Sequence, residues 1–389
     1  MYGKNPRINN LTKKFLVILF LCTLFQSCIM STYSKKNVKY DFTELTALIE
    51  EINLGIFIPE TSMIIIKDNE VIYDEYFGSY YPYKTIGIAS SSKWLAGATI
   101  MTLVDDKLLS LDSKIGDFLP IFTDELGNIT VAQCMSHTSG IEPSTIILGY
   151  PYSSLEECIN DIASEVELHD TPGTVFYYGG ISMQIAGRVA ELAANKTWYE
   201  IFNDNIVEPL DLANTSFSHP NSSPIIAGSA TSSINDYSNF LHMILNKGSY
   251  FGEQIISIES IIQMEEDYTK DATIGYSVLR EFDPTNNDTY GIGMWRDVED
   301  DESIAVELSC VGWSGIYPWI DRDRNYCAII TVNDELPQLY DSFIEVREKV
   351  NEIFDTPVTT DFPRNVTIIS LSLMASILII RLRRKKPKL

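Results

Sequence analysis

A chain of 389 residues with 45% hydrophobic and 11% aromatic content has enough apolar surface for one large core or two smaller ones, which excludes a disordered chain. Its formal charge is −24, and the stretch from Lys35 to Pro363 holds 18 of the 29 basic residues against all 53 acidic ones, a net of −35. A body of that charge repels phosphate backbones, so nucleic acid is excluded as a partner.

Residues 1–34 have the layout of a secretory signal peptide: Lys13-Lys14, an apolar run from Phe15 to Phe25, then Gln26-Ser27-Cys28. Cys28 is placed as a lipid-modified cysteine would be, but Phe25 and Gln26 before it argue for the plain signal peptide. From residue 41 to 354 the pattern is that of one folded domain. Asp41–Leu54 has helical periodicity, and Ser62–Lys67 with Val71–Phe77 reads as a β-hairpin turning at Asp68-Asn69-Glu70. From about residue 94 to 264 helices dominate: Ala96–Leu109, Ser154–Val166, Ile181–Ala194, Tyr199–Ile206 and Ser233–Lys247. Strands return at Glu302–Val311, Ile316–Ile320 and Tyr326–Val332, followed by a closing helix, Leu336–Phe354. This order predicts an α+β fold: an antiparallel sheet built from both chain ends, flanked by terminal helices, with a large helical insert at about 94–264.

A spacer, 355–365, leads to the uncharged apolar run Val366–Ile380 and then to a basic tail, 381–389. That is the layout of a transmembrane segment with a cytoplasmic tail and the body outside. Fifteen residues is short for a span, so local bilayer thinning or snorkelling arginines have to accompany it. Beyond the leader the cysteines are Cys134, Cys158, Cys310 and Cys327, with no close pair. They read as small core residues rather than a disulfide frame or a zinc site.

The chemistry begins at Ile88-Ala89-Ser90-Ser91-Ser92-Lys93, which heads an apolar segment. If a helix opens at Ser90, the i,i+3 spacing puts Lys93 on the same face, and a cation and a helix dipole both favour alkoxide character on Ser90. Alone, this spacing arises by chance, and an N-capping serine is the plain alternative. Further anchors follow in order: Leu109-Ser110-Leu111-Asp112, Phe118-Leu119-Pro120, Ile129-Thr130-Val131 and Ser136-His137-Thr138-Ser139-Gly140. After them come Pro172-Gly173-Thr174 with Phe176-Tyr177-Tyr178, then Tyr290-Gly291-Ile292-Gly293-Met294-Trp295, and last Gly312-Trp313-Ser314-Gly315.

On these motifs, from Asp41 to Phe354, the chain resembles the serine β-lactamase and penicillin-binding-protein superfamily. Within it the likeness is to the class C β-lactamase-like branch, with its D-alanyl-D-alanine peptidases and carboxylesterases. The resemblance implies that Ser90 is acylated and that Lys93 and Tyr178 carry its proton, with Tyr178 as the base, its anion stabilised by the Lys93 ammonium. Gly180 stands where the family's tyrosine motif has asparagine. Tyr237-Ser238-Asn239 spells that motif literally, but inside a helical pattern and without the Pro-Gly-Thr lead. Trp313-Ser314-Gly315 takes the place of the family's strand motif, and Trp313 replaces its cation, as is familiar among the family's carboxylesterases. The backbone N–H groups of Ser90 and Ile316 would form the oxyanion hole, with Trp313, Ser314, Gly315 and Gly180 lining the substrate.

Other candidates have weaker readings. Ser314 falls one residue short of a G-x-S-x-G elbow, His137 has no acid partner pattern for a serine–histidine pair, and Tyr80-Tyr81-Pro82-Tyr83 reads as strand-end packing. No metal motif and no phosphate loop appear, and no cofactor is expected. The expected function is a membrane-anchored, extracytoplasmic serine hydrolase acting through an acyl-enzyme on a small-molecule or peptide ester or amide. Alternatives are D-alanyl-D-alanine carboxypeptidase or β-lactamase activity, and a catalytically silent binding protein of the same fold.

Overall fold

The computed structural model describes residues 38–359 apart from 142, 144–146 and 218–221. The expected leader, the Val366–Ile380 run and the basic tail lie outside the described residues. Among those described, no helix is long and apolar enough to cross a membrane.

Within Thr43–Asn351, which forms one compact unit, α1 (Thr43–Gly55) precedes β1 (Glu60–Lys67) and β2 (Glu70–Gly78). The hairpin turns at Asp68 and Asn69, both at positive φ (53° and 66°), which a two-residue turn needs to follow the strand twist and which Asp and Asn tolerate. Next come β3 (Ile86–Gly87), α2 (Ser92–Asp105) and α3 (Leu155–Glu165), then β4 (Val175–Tyr177) and α4 (Ile181–Ala194). They are followed by β5 (Thr231–Ser232), α5 (Ile234–Leu245) and β6 (Thr273–Tyr276). The last elements are β7 (Trp295–Glu299), β8 (Ala305–Ser309), β9 (Ile316–Asp321), β10 (Tyr326–Val332) and α6 (Leu336–Asp355).

The main sheet is six-stranded and antiparallel, in the order β7-β8-β9-β10-β1-β2. Its two halves, separated by the helical insert, join where β10 pairs with β1 from Tyr326↔Lys67 to Val332↔Thr61. This is the α+β arrangement expected from the sequence. Every residue of β9 and β10 is buried, as befits central strands covered on both faces. α5 packs on β1, β9 and β10. From α6, Phe343 stacks on Tyr317 at 5.5 Å, and buried Arg347 reaches Asp297 Oδ2 and Tyr317 Oη, each at 2.6 Å, and also Glu307.

Some boundaries differ from expectation for local reasons. β7 has the sequence WRDVE and pairs through two register irregularities at the sheet edge, so its period-2 signal is lost. Glu302–Val311 shortens to β8 because Ser303 N–H closes a turn onto Asp300 O. Tyr199–Ile206 becomes a short α-helix, Trp198–Phe202, that widens into a π-turn at Asn203–Val207. The second unit holds residues 38–42 and 352–359 of those described. In it Val38-Lys39 pairs antiparallel with Val358-Thr359, and Tyr40 lies edge-on to Phe354 at 4.9 Å.

Candidate active site

Ser90 sits on a tight turn between a strand and a helix. β3 pairs with β5, and Ile88 N–H donates to Ala230 O at 3.0 Å. Ala89 then takes φ +43°, a conformation costly for a residue with a Cβ and kept only where the surroundings hold it. Ser90 lies in the 3₁₀ turn Ala89–Ser91, and the α-helix proper starts at Ser92, two residues later than the spacing argument supposed. As part of the first turn, the Ser90 N–H has no intrahelical acceptor. α2 is buried on all sides from Ser92 to Leu103, which is why its sequence shows no amphipathic period.

Lys93 projects back along that helix. Its Nζ donates to Ser90 Oγ at 3.0 Å and to Ala227 O at 2.9 Å, and it lies over the Tyr178 ring, 4.6 Å from the centroid. Burial pulls its pKa down to about 8, because the charged form loses its hydration. Near neutrality about a tenth is therefore unprotonated.

Tyr178 is delivered by a separate device. β4 pairs in parallel with β6, and Tyr178 N–H donates to Tyr276 O at 3.0 Å. Gly275 permits this pairing, since a Cβ there would fall 2.3 Å from the Tyr177 ring. The Tyr178 side chain is buried, with Trp295 nearly parallel at 5.2 Å and His137 at 4.7 Å from its ring. Burial pushes its pKa well up, and the hydrogen bond with Ser90 only tempers that. The Lys93 amine lies over the face of that ring, and burial favours the neutral phenol.

The literal motif at Tyr237-Ser238-Asn239 serves the scaffold. Tyr237 Oη donates to Ser91 O at 2.8 Å from within α5, bracing the Ser90 turn from behind. Further braces come from Ser91 Oγ, which donates to Cys310 O at 2.5 Å, and from Cys310 Sγ to Ser90 O at 3.2 Å. Cys134, Cys158, Cys310 and Cys327 are all free and buried.

The turn leading into β9 lies against the nucleophile turn. A Cβ on Gly312 would come within 2.4 Å of Ile88 O, and Ser314 Oγ donates to Gly87 O at 2.6 Å. Gly315 holds φ +75° with Val332 O only 2.1 Å from where its Cβ would be. Ile316 has a buried side chain, and its N–H makes only a long contact, 3.4 Å, to Gly312 O, so this donor is weakly committed. Trp313 is 43% exposed, with Phe282 at 6.4 Å and Tyr340 stacked on Phe282 at 5.1 Å. Gly180 caps α4 and adjoins Leu148: a Cβ there would meet Leu148 Cδ1 at 2.7 Å and Ala227 Cβ at 3.5 Å. A side chain at 180 would have to displace the end of the Leu148 side chain. Of the tyrosines before Ser90, Tyr80 is buried and stacked on Tyr76, whereas Tyr81 and Tyr83 are exposed.

Sequence reasoning missed the Ala227 carbonyl, the Cys310 thiol and the aromatic surround of Tyr178. Of the aromatic surround, His137, Phe176, Tyr290 and Trp295 left a trace, as members of motifs in which none was given a role beside Tyr178.

A family model described as Beta-lactamase matches residues 46–346. The chain belongs to the Beta-lactamase family. Among solved structures, a protein of Bacteroides dorei studied as a candidate β-lactamase aligns with a TM-score of 0.74 at 28% identity, over 82% of this chain and 100% of that one. Protein flp of Staphylococcus aureus is 25% identical over 179 residues, 42% of this chain and 36% of flp. Penicillin-binding protein 4 of Amycolatopsis lactamdurans is 30% identical over 128 residues, 32% of this chain and 33% of that protein. The chain matches about a third of the length of these two relatives.

The two tyrosines are separable by experiment. Tyr178→Phe is expected to lower kcat on an acyl substrate by about 10²-fold or more, the range for loss of a proton carrier. Tyr237→Phe removes one of the hydrogen bonds to the buried Ser91 carbonyl and is expected to cost about 0.5–1.5 kcal/mol in urea unfolding, with a smaller loss of kcat. The reverse ranking in kcat would return Tyr237 to the chemistry.

Proposed function

We propose that this member of the Beta-lactamase family is a serine hydrolase that forms an acyl-enzyme at Ser90. The observation that carries the reading is the buried Lys93 amine, 3.0 Å from Ser90 Oγ and weakened as an acid-holding group by its surroundings. In the forward step neutral Lys93 takes the Ser90 proton as Oγ attacks the substrate carbonyl. The oxyanion is met by the N–H groups of Ser90 and Ile316. Tyr178 passes the proton to the leaving oxygen or nitrogen as the acyl–leaving-group bond breaks, and is reprotonated by Lys93. Water then attacks the ester by the same route in reverse, releasing the acid and restoring Ser90.

The substrate class is a neutral ester or amide. Trp313 offers an aromatic face where the family's strand motif has a cation, and the acidic body repels a substrate carboxylate. Both features weigh against a D-alanyl-D-alanine peptide or a penicillin as the preferred substrate, and Gly180 lacks the amide of the family's asparagine. A silent binding protein is disfavoured because Ser90, Lys93 and Tyr178 are all retained and in mutual contact.

Intact mass after exposure to p-nitrophenyl acetate and, separately, benzylpenicillin tests the reading. An acetyl adduct lost in Ser90→Ala is expected, with the ester reacting faster than the penicillin. No adduct on either, or one that persists in Ser90→Ala, overturns it. The rate should also follow the lysine. Because the acceptor is the neutral amine and its pKa is drawn down to about 8, kcat/KM rises with pH, levels off above that value and falls about tenfold per pH unit below it. A flat profile between pH 6 and 9 would contradict this.

We further propose that the enzyme is held outside the cytoplasm by Val366–Ile380, on the strength of that apolar run and the basic residues after it. Full-length protein should need detergent for extraction, whereas a chain ending at Thr359 should not. Release of the full-length chain by high salt alone would refute the anchor.

A further inference from the structure

His137 has no acid partner pattern in the sequence, yet its place in the fold is unusual in four respects. It holds φ +62°, a left-handed conformation that histidine tolerates better than most residues but still at a cost. It is only 1% exposed. Its carbonyl accepts from Tyr177 N–H at 2.8 Å, and its Nδ1 accepts from Gly179 N–H at 3.4 Å. The residues on both sides of Tyr178 thus meet one histidine, Tyr177 by a firm hydrogen bond and Gly179 by a long one, and its ring packs 4.7 Å from the phenol ring.

Accepting at Nδ1 puts the imidazole proton on Nε2. That atom is buried and has no protein partner among the described residues, as is true of Tyr290 Oη and Trp295 Nε1. The three belong to one aromatic group: His137 to Tyr290 is 4.9 Å, Tyr290 to Trp295 is 4.8 Å, and Trp295 stacks on Tyr178 at 5.2 Å. A phenylalanine would fill the same space without leaving a buried donor unpaired, which costs free energy. Retaining an imidazole there is explained by what its other edge does. Burial, with the nearby Lys93 charge, holds the ring neutral, so Nδ1 stays available as an acceptor.

We propose that His137 is the positioning residue of Tyr178: through its carbonyl, Nδ1 and ring face it fixes the phenol between Trp295 and Lys93 so that the hydroxyl meets Ser90. It touches neither substrate nor Ser90 and acts only through Tyr178. This rests on the proton-carrying role proposed for Tyr178.

The test is a kinetic double-mutant cycle on p-nitrophenyl acetate with the full chain, using His137→Phe, Tyr178→Phe and the pair, with His137→Asn as the conservative variant. H137F keeps a ring but loses the acceptor, and kcat should fall about tenfold to a hundredfold, the cost of a misplaced reacting group, with KM within about twofold. In the Y178F background the same change should lower kcat by less than about twofold, since the residue it positions is gone. H137N tolerates the left-handed backbone and offers a carboxamide oxygen to Gly179 N–H, so it should recover most of the loss. Should H137F fail to fold, His137→Gln, whose amide sits one bond too far out, replaces it in the same cycle. Equal losses in both backgrounds, or wild-type kcat in the disruptive variant, would overturn the proposal while leaving the Ser90 reading intact. Absence of Ser90-dependent turnover in the wild type would instead sink the reading on which it rests.

Discussion

A lysine ammonium taken out of water next to a serine hydroxyl is the constraint on which the rest of this site depends. Removing the hydration of Lys93 makes its neutral form accessible near physiological pH, and a neutral amine within hydrogen-bonding distance is what a serine needs to become a nucleophile. The surroundings supply little that would restore the charge: a backbone carbonyl from Ala227, the hydroxyl of Ser90 and the face of an aromatic ring. Among the described residues no carboxylate forms an ion pair with its amine.

That arrangement has to be held still, and the fold does so from several directions. The strained turn at Ala89 is pinned by Tyr237 on α5, by Cys310 after β8 and by Ser314 ahead of β9. These residues come from parts of the chain far apart in sequence, brought together because β10 closes the sheet against β1. Tyr178 reaches the same point through the short parallel pairing of β4 and β6. The sheet thus carries the substrate-facing edge, the helical insert carries the proton carriers, and the nucleophile turn is the seam between them.

How much of this was legible beforehand follows from what kind of signal each part leaves. Ser90 and Lys93 stand three apart where a 3₁₀ turn runs into a helix, a spacing that became informative only beside the motifs that follow it. The sheet built from both ends was legible because β1, β9 and β10 are continuous apolar runs with turn residues between them. Tyr178 was separable from Tyr237 because the Pro-Gly-Thr lead marks a chain entering a strand, whereas Tyr237 lay in a helical pattern. The Ala227 carbonyl left no trace, since any residue has one. His137 was dismissed as a base for want of an acid partner, and its contacts with Tyr177 and Gly179 depend on a loop conformation that composition does not encode. Whether Tyr178 or Lys93 accepts the Ser90 proton was not legible, because it depends on how far burial shifts each group, which composition does not encode.

The account stands or falls on the ionisation of one amine. Selective ¹³C labelling of lysine Cε, with the Lys93 resonance assigned by its absence from Lys93→Met, allows its titration to be followed directly in the folded protein. A midpoint near 8, about two units below the ordinary lysine value, is the expected result. A Lys93 midpoint at the ordinary value of about 10.4 would contradict the account, because the amine beside Ser90 would then be an ammonium at every pH at which the enzyme has to act.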